Sequence, residues 1–177
     1  MELTFKIIVV FTIVQRIAEL FLSKSNEKYI TSRGGRIIPE KNYIFMVLLH
    51  TSWLVVIAYF AFFTKLSFQT TFFIPATIFF FIGQAFRLSA IFTLGRRWST
   101  RIMILPEAPA IRKGLFTWIK HPNYLGVCIE IAALPLIGGL ILPAILFSLL
   151  NFTILFFRIR LEEKLLSEFN DYSKIFA

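Results

Sequence analysis

At 177 residues, 57% of them apolar, 16% charged and 22 of them phenylalanine, the chain carries more hydrophobic surface than a soluble domain of this length can bury, so the surplus must face lipid. The single cysteine, Cys128, excludes a disulfide within the chain and any cysteine cluster for a metal, and His50 and His121 lie too far apart in sequence to read as a ligand pair. A formal net charge of +9 in such a chain reports membrane orientation and argues against a nucleic-acid partner.

Residues 3–22 predict a first helix, about 20 mostly apolar residues being what a rise of ~1.5 Å per residue needs to cross ~30 Å of hydrocarbon. Gln15, Arg16 and Glu19 make it too polar for a signal peptide, and no small-residue cleavage site follows, so it is expected to stay in the mature protein. Lys24, Lys28, Arg33, Arg36 and Lys41 fill the loop that follows. Residues 43–63 and 71–94 predict two more spans, joined by a loop holding only Lys65. The third loop holds Arg96, Arg97, Arg101, Arg112, Lys113 and Lys120. From Tyr124 to Phe157 the chain is apolar again, but a single helix there would be about 50 Å long, and Gly138, Gly139 and Pro143 interrupt it. A helical hairpin with two short arms is expected.

The expected fold is therefore an all-α integral membrane protein of about five transmembrane helices, the last two a helical hairpin. No strand, repeat or linker is legible, so residues 1–177 read as one membrane-embedded domain. The distribution of Lys and Arg puts the N-terminus outside and the C-terminus in the cytoplasm. The two ends of the hairpin, before Tyr124 and after Phe157, then emerge side by side on the cytoplasmic face.

Both ends carry polar chemistry. "IKHPNYLG" has an ordinary reading as a helix cap, because a residue before proline is extended and proline suits a first helical turn. "FFRIRLEEKLLSEFNDY" has one as an interfacial anchor with an ion pair between Arg158 and Glu162, four residues apart on one helix face.

Together, "GLFTWIKHPNYLG" and "RIRLEEKLLSEFNDY" resemble the paired signature of the isoprenylcysteine carboxyl methyltransferase family, G-x-Y-x-x-x-R-H-P-x-Y-x-G followed by R-x-x-x-E-E-x-x-L-x-x-F-x-x-Y. "QRIAEL", "RGGR", "LLH", "TLGRRWSTRIMILPEAPAIRKG" and "HPNYLGVCIEIAALPL" extend the likeness over nearly the whole chain, to a bacterial branch resembling alkylpyrone methyltransferases encoded beside type III polyketide synthases. The resemblance implies S-adenosyl-L-methionine as methyl donor at the cytoplasmic face of the bacterial cytoplasmic membrane, with a site built from residues 95–124 and 157–172. It implies a lipophilic acceptor entering from the bilayer, such as an alkylpyrone hydroxyl. The alternatives are a prenylcysteine carboxyl, a phospholipid amine, or a small membrane scaffold without catalysis.

Carried over by position, the resemblance puts His121, Pro122, Asn123 and Tyr124 against the cofactor, together with Phe116, the extended strip Ala108, Pro109, Ala110 and Ile111, and the carboxylate of Glu162. It associates Arg158 with the acceptor. Phe116 stands where the family has Tyr, and Lys120 where it has Arg, which removes a hydroxyl and a planar two-pronged donor.

Elementary chemistry is compatible with that assignment. A ligand with a sulfonium, an ammonium, a carboxylate and a flat adenine wants a carboxylate, a cation or helix N-terminus, and aromatic or apolar walls, here Glu162, His121 with the helix start expected at Asn123, and Phe116, Trp118 and Tyr124. Transfer of an activated methyl needs mainly a positioned, deprotonated acceptor with water excluded. An enolic pyrone hydroxyl or a prenylcysteine carboxylate is expected to ionise near neutral pH, so that no strong base is obligatory and a cation such as Arg158 could hold the anion. Glu130, His50, Arg16 and Glu19 are candidates to assist, since polar groups within spans are costly and tend to face a site. They can equally pair with one another as ties between helices. Arg96, Arg97 and Trp98 read either as a gate to the cofactor or as a headgroup anchor.

Overall fold

The computed structural model describes residues 1–40, 43–106 and 108–169. Lys41 of the first basic loop and residues 170–172 of the second signature lie outside them. Five α-helices are present among the described residues: α1 (Glu2–Ser32), α2 (Tyr43–Phe63), α3 (Thr70–Leu94), α4 (Pro122–Ile137) and α5 (Ile141–Phe169). Three of them, α2, α3 and α5, are long and apolar enough to cross a membrane. In α1, Arg16 and Glu19 fall beside Lys6 or Lys24, which dilutes its apolar run. At 16 residues α4 is shorter than a usual span.

The hairpin forms where glycine permits it. Gly139 turns the chain at φ +72°, a region side chains with a Cβ rarely adopt, and Pro143 sits in the first turn of α5, where its missing N–H leaves no bond unmade. The expectation of two short arms holds for α4 and is corrected for α5, which nothing breaks and which runs 29 residues from the apolar segment into the charged one. The expectation of no strands is corrected as well. Two-residue strands β1 (Arg36–Ile37) and β2 (Met103–Ile104) pair antiparallel, Arg36 opposite Ile104 and Ile37 opposite Met103. Two residues are too few to show the alternation by which strands are read.

The outward faces of the helices are apolar, with Phe63, Phe92 and Leu142 each more than 70% exposed. Surrounding lipid is as apolar as these side chains, so helix association rests on close packing and polar ties. Phe5 and Val9 of α1, Trp53 and Ile57 of α2, Phe80 of α3, and Ile131 and Leu134 of α4 form the buried core. Close packing is tightest between α3 and α4: a Cβ on Gly126 would lie 2.7 Å from the carbonyl oxygen of Gly83, so only glycine lets these backbones touch.

The other end of the bundle is built from polar ties. Asn26 of α1 donates to the carbonyls of Trp98 (2.8 Å) and Gly95 (3.2 Å), and the Ser23 hydroxyl accepts from the amide of Thr100 (3.0 Å). With the β1–β2 pair, these contacts fix the chain after α3 across the ends of α1 and α5.

Candidate functional site

α4 starts at Pro122, with His121 as the residue before it, and α5 passes alongside. That places the two sequence signatures against each other. The Tyr124 hydroxyl donates to Glu162 Oε2 at 2.5 Å and accepts from Arg158 Nε at 2.9 Å. His121 Nε2 meets Glu163 Oε1 at 2.9 Å, and its ring stacks on Tyr124 at 5.4 Å.

Two neighbouring cavities open here. The first, about 160 Å³, is lined by Ala108, Pro109, Ala110 and Ile111, by Phe116, His121 and Glu162, and by Arg97, Lys120 and apolar residues such as Ile30 and Leu166. The second, about 260 Å³, reaches toward α1 and α2 and is lined by Pro122, Asn123, Tyr124, His50 and Arg158 among others. Leu94, Phe116, His121 and Glu162 belong to both walls. The first cavity sets a carboxylate beside two cationic side chains over an apolar floor, a donor set suited to a zwitterion with a flat body. The second joins polar groups to Val47, Leu54, Val127 and Leu155, which suits an amphipathic molecule. Asn123 Oδ1 is buried there without a hydrogen-bond partner, an acceptor open to a ligand.

Arg158 is more committed than the sequence implies. No ion pair with Glu162 forms. Its Nη1 pairs with Glu40 Oε2 at 3.0 Å and also contacts Met46 Sδ, and its Nη2 donates to the Thr100 carbonyl at 2.7 Å. With Nε on Tyr124, a single Nη2 hydrogen remains. Glu40 also accepts from the Ile102 amide at 3.0 Å, so this carboxylate ties the strand segment to α5.

Of the four intramembrane candidates, three pair with one another. Glu19 bridges Arg16 and Arg87, and Glu130 bonds Arg16 and lies 3.5 Å from Arg87 Nε, which closes a ring of alternating charge across α1, α3 and α4. Gln15 of α1 adds bonds to Glu19 (3.0 Å) and to Gln84 of α3 (2.8 Å). Glu130 is 1% exposed and lines neither cavity, and two guanidiniums hold it inside the bundle, the placement of a tie between helices. His50 stands apart from the ring, on the wall of the second cavity.

Trp118 is also corrected. It is 86% exposed and lines neither cavity, because the tight turn Gly114–Thr117 directs Phe116 inward and leaves the next position but one outside. Of the three residues read as gate or anchor, Trp98 is buried, Arg97 donates to the Pro109 carbonyl at 2.7 Å beside the first cavity, and Arg96 lies over the Tyr29 ring. Sequence reading missed Arg87, Gln84 and Glu40. Arg87 and Gln84 had a signal, as polar side chains in an otherwise apolar 25-residue helix. Glu40 had none, since an acid in a loop next to proline is unremarkable.

Residues 76–168 match the model of the isoprenylcysteine carboxyl methyltransferase (ICMT) family. The uncharacterized protein YpbQ of Bacillus subtilis is 32% identical over 94% of this chain and 98% of its own length. An uncharacterized protein of Haemophilus influenzae is 29% identical over 86% of this chain and 88% of its own. No solved structure matches the chain.

Proposed function

Because the chain belongs to the isoprenylcysteine carboxyl methyltransferase family, a family of membrane methyltransferases, we propose that it uses S-adenosyl-L-methionine to O-methylate a lipophilic acceptor such as an alkylpyrone hydroxyl. The observation that carries this reading is the pair of cavities sharing the wall of Phe116, His121 and Glu162. A donor in one and an acceptor in the other come within reach across that wall. Residues 1–177 act as one domain of the bacterial cytoplasmic membrane, with the site at the cytoplasmic face and the acceptor arriving from the bilayer.

When bound, S-adenosyl-L-methionine supplies a methyl group already activated on a sulfonium. The residues of the chain then have to bind, orient and exclude water. Glu162 would hold the ammonium, Arg97 and Lys120 the carboxylate, and the strip Ala108–Ile111 with Leu166 and Ile30 the adenine. His121, Pro122, Asn123 and Tyr124 form the start of α4 that separates donor from acceptor. Arg158 holds Tyr124 in place and offers its remaining hydrogen to the acceptor oxygen. Val47, Leu54 and Leu155 accommodate an alkyl chain, and the segment carrying Trp98 and Thr100, tied to α1, keeps water out.

The test is incubation of the purified protein in detergent with labelled S-adenosyl-L-methionine and a panel of lipid extracts. Label in a hydroxylated alkylpyrone supports the reading. Label in a prenylcysteine ester or a phospholipid amine moves the acceptor class, and donor binding without any labelled lipid overturns the transferase reading.

A further inference from the structure

The second cavity contains three arginines, yet none of them is available as a lone cation. Arg16 and Arg87 belong to the closed ring with Glu19 and Glu130, and Arg158 is paired with Glu40. An anionic acceptor would have to give up its water for a site whose arginines are all matched already, leaving only the donor's sulfonium to face it, an unfavourable exchange in an environment of low dielectric constant. A neutral hydroxyl compound meets no such barrier, but it must lose a proton to be methylated.

The groups that could take that proton are few. Glu19 is clamped between Arg16 and Arg87, and Glu162 already accepts the Tyr124 hydroxyl. His121 lies on the wall shared with the donor, where a sulfonium opposes a second positive charge, and one of its nitrogens is engaged by Glu163. His50 borders the second cavity alone, across from Arg16, Arg158 and Tyr124 and on the same helix as Tyr43. Its Nδ1 lies 2.8 Å from the Met46 carbonyl oxygen, one turn back along α2. A carbonyl only accepts, so Nδ1 carries the hydrogen, and in a neutral imidazole Nε2 then holds the lone pair. No hydrogen bond to Nε2 is present among the described residues.

We infer that His50 is the general base of this site, its tautomer fixed by the Met46 carbonyl, and that the acceptor is a lipophilic hydroxyl or enol taken up in its protonated form in place of a carboxylate. The inference rests on the methyl-transfer reading above. In the step, the acceptor O–H bond breaks toward Nε2 while the oxygen forms a bond to the donor methyl. The S–C electron pair returns to sulfur, leaving a thioether and an imidazolium whose proton passes to water as the product departs.

Two measurements test it. The chain has only two histidines, so ¹⁵N-histidine labelling in detergent, assigned with His121→Gln, reads the His50 tautomer without any substrate. The Nδ1–H form is expected, and the Nε2–H form would overturn the inference. His50→Asn keeps a donor for the Met46 carbonyl but has no basic nitrogen. It is expected to bind S-adenosyl-L-methionine within about threefold of wild type while kcat on a hydroxyl acceptor drops by about a hundredfold or more, the usual worth of a positioned base, and the acid limb of the pH profile disappears. A kcat within about threefold and an unchanged pH profile would remove His50 from the chemistry. If wild type transfers no methyl to any lipid, the failure is that of the methyl-transfer reading, since the tautomer is measured independently of turnover.

Discussion

Two polar clusters sit within the same helix bundle and use the same residue types, but they are wired differently. In the ring of Arg16, Glu19, Arg87 and Glu130 each charge faces an opposite one, and the ring closes on itself. In the junction of Tyr124, Glu162, Arg158 and Glu40 the bonds form an open chain from Glu162 to Glu40, and Glu162, Tyr124 and Arg158 lie on the wall of the second cavity. The closed set matches its charges internally and ties the helices together even where Arg16, Glu19 and Arg87 border the second cavity, whereas the open set holds groups in place and leaves them something to bind. Carboxylates buried in a membrane are functional candidates by default. Here the wiring and the exposure together separate Glu130, shut inside the bundle, from Glu162, half-buried on the cavity walls.

The largest effect is expected from opening the closed set. Glu130→Ala strands Arg16 and Arg87 beside one carboxylate and should cost about 3–5 kcal/mol of stability, seen as a lower unfolding midpoint in detergent. Replacing all four at once, with Met for the arginines and Leu for the glutamates, should cost far less than that single change, because no charge is left alone. An unaltered midpoint for Glu130→Ala would mean the ring is not a tie.

Arg158→Ala tests the open set. Turnover should fall about a hundredfold, comparable to losing a positioned donor in a transition state, with donor affinity within about threefold. Arg158→Lys should recover only part of this, because an ammonium cannot reach Tyr124, Glu40 and the Thr100 carbonyl together. Equal loss of donor binding and turnover would place Arg158 in the donor site.

Glu162→Gln keeps an acceptor for the Tyr124 hydroxyl but removes the charge, so donor binding measured by titration should weaken by about 1.5–3 kcal/mol while the unfolding midpoint barely moves. If binding is unchanged and stability drops, Glu162 belongs with the ring as a structural group. The smallest effect is expected at Trp118. Being exposed and away from both cavities, Trp118→Ala should change stability by no more than about 0.5 kcal/mol, and a measurable loss of donor affinity would return it to the site wall.

What the chain's own order of residues determined was local and one-dimensional. The run of apolar residues predicted α2 at 43–63 as observed and α3 within a residue of its start, and Gly138 and Gly139 marked the turn of the hairpin. Because a hairpin returns its two ends to one place, the meeting of His121–Tyr124 with Arg158–Glu163 was also legible before any coordinates. Tertiary structure alone decided which polar group faces which. Pairing across helices depends on rotation and register, set here by the contact of Gly83 with Gly126 and by the anchoring of Asn26, and none of these leaves a periodic trace. So Arg158 finds Glu40 instead of Glu162, Glu130 is shut into a ring, Trp118 turns outward, and two residues of each basic loop pair as strands. A span is a property of composition along a helix, but a site is a property of where helices cross.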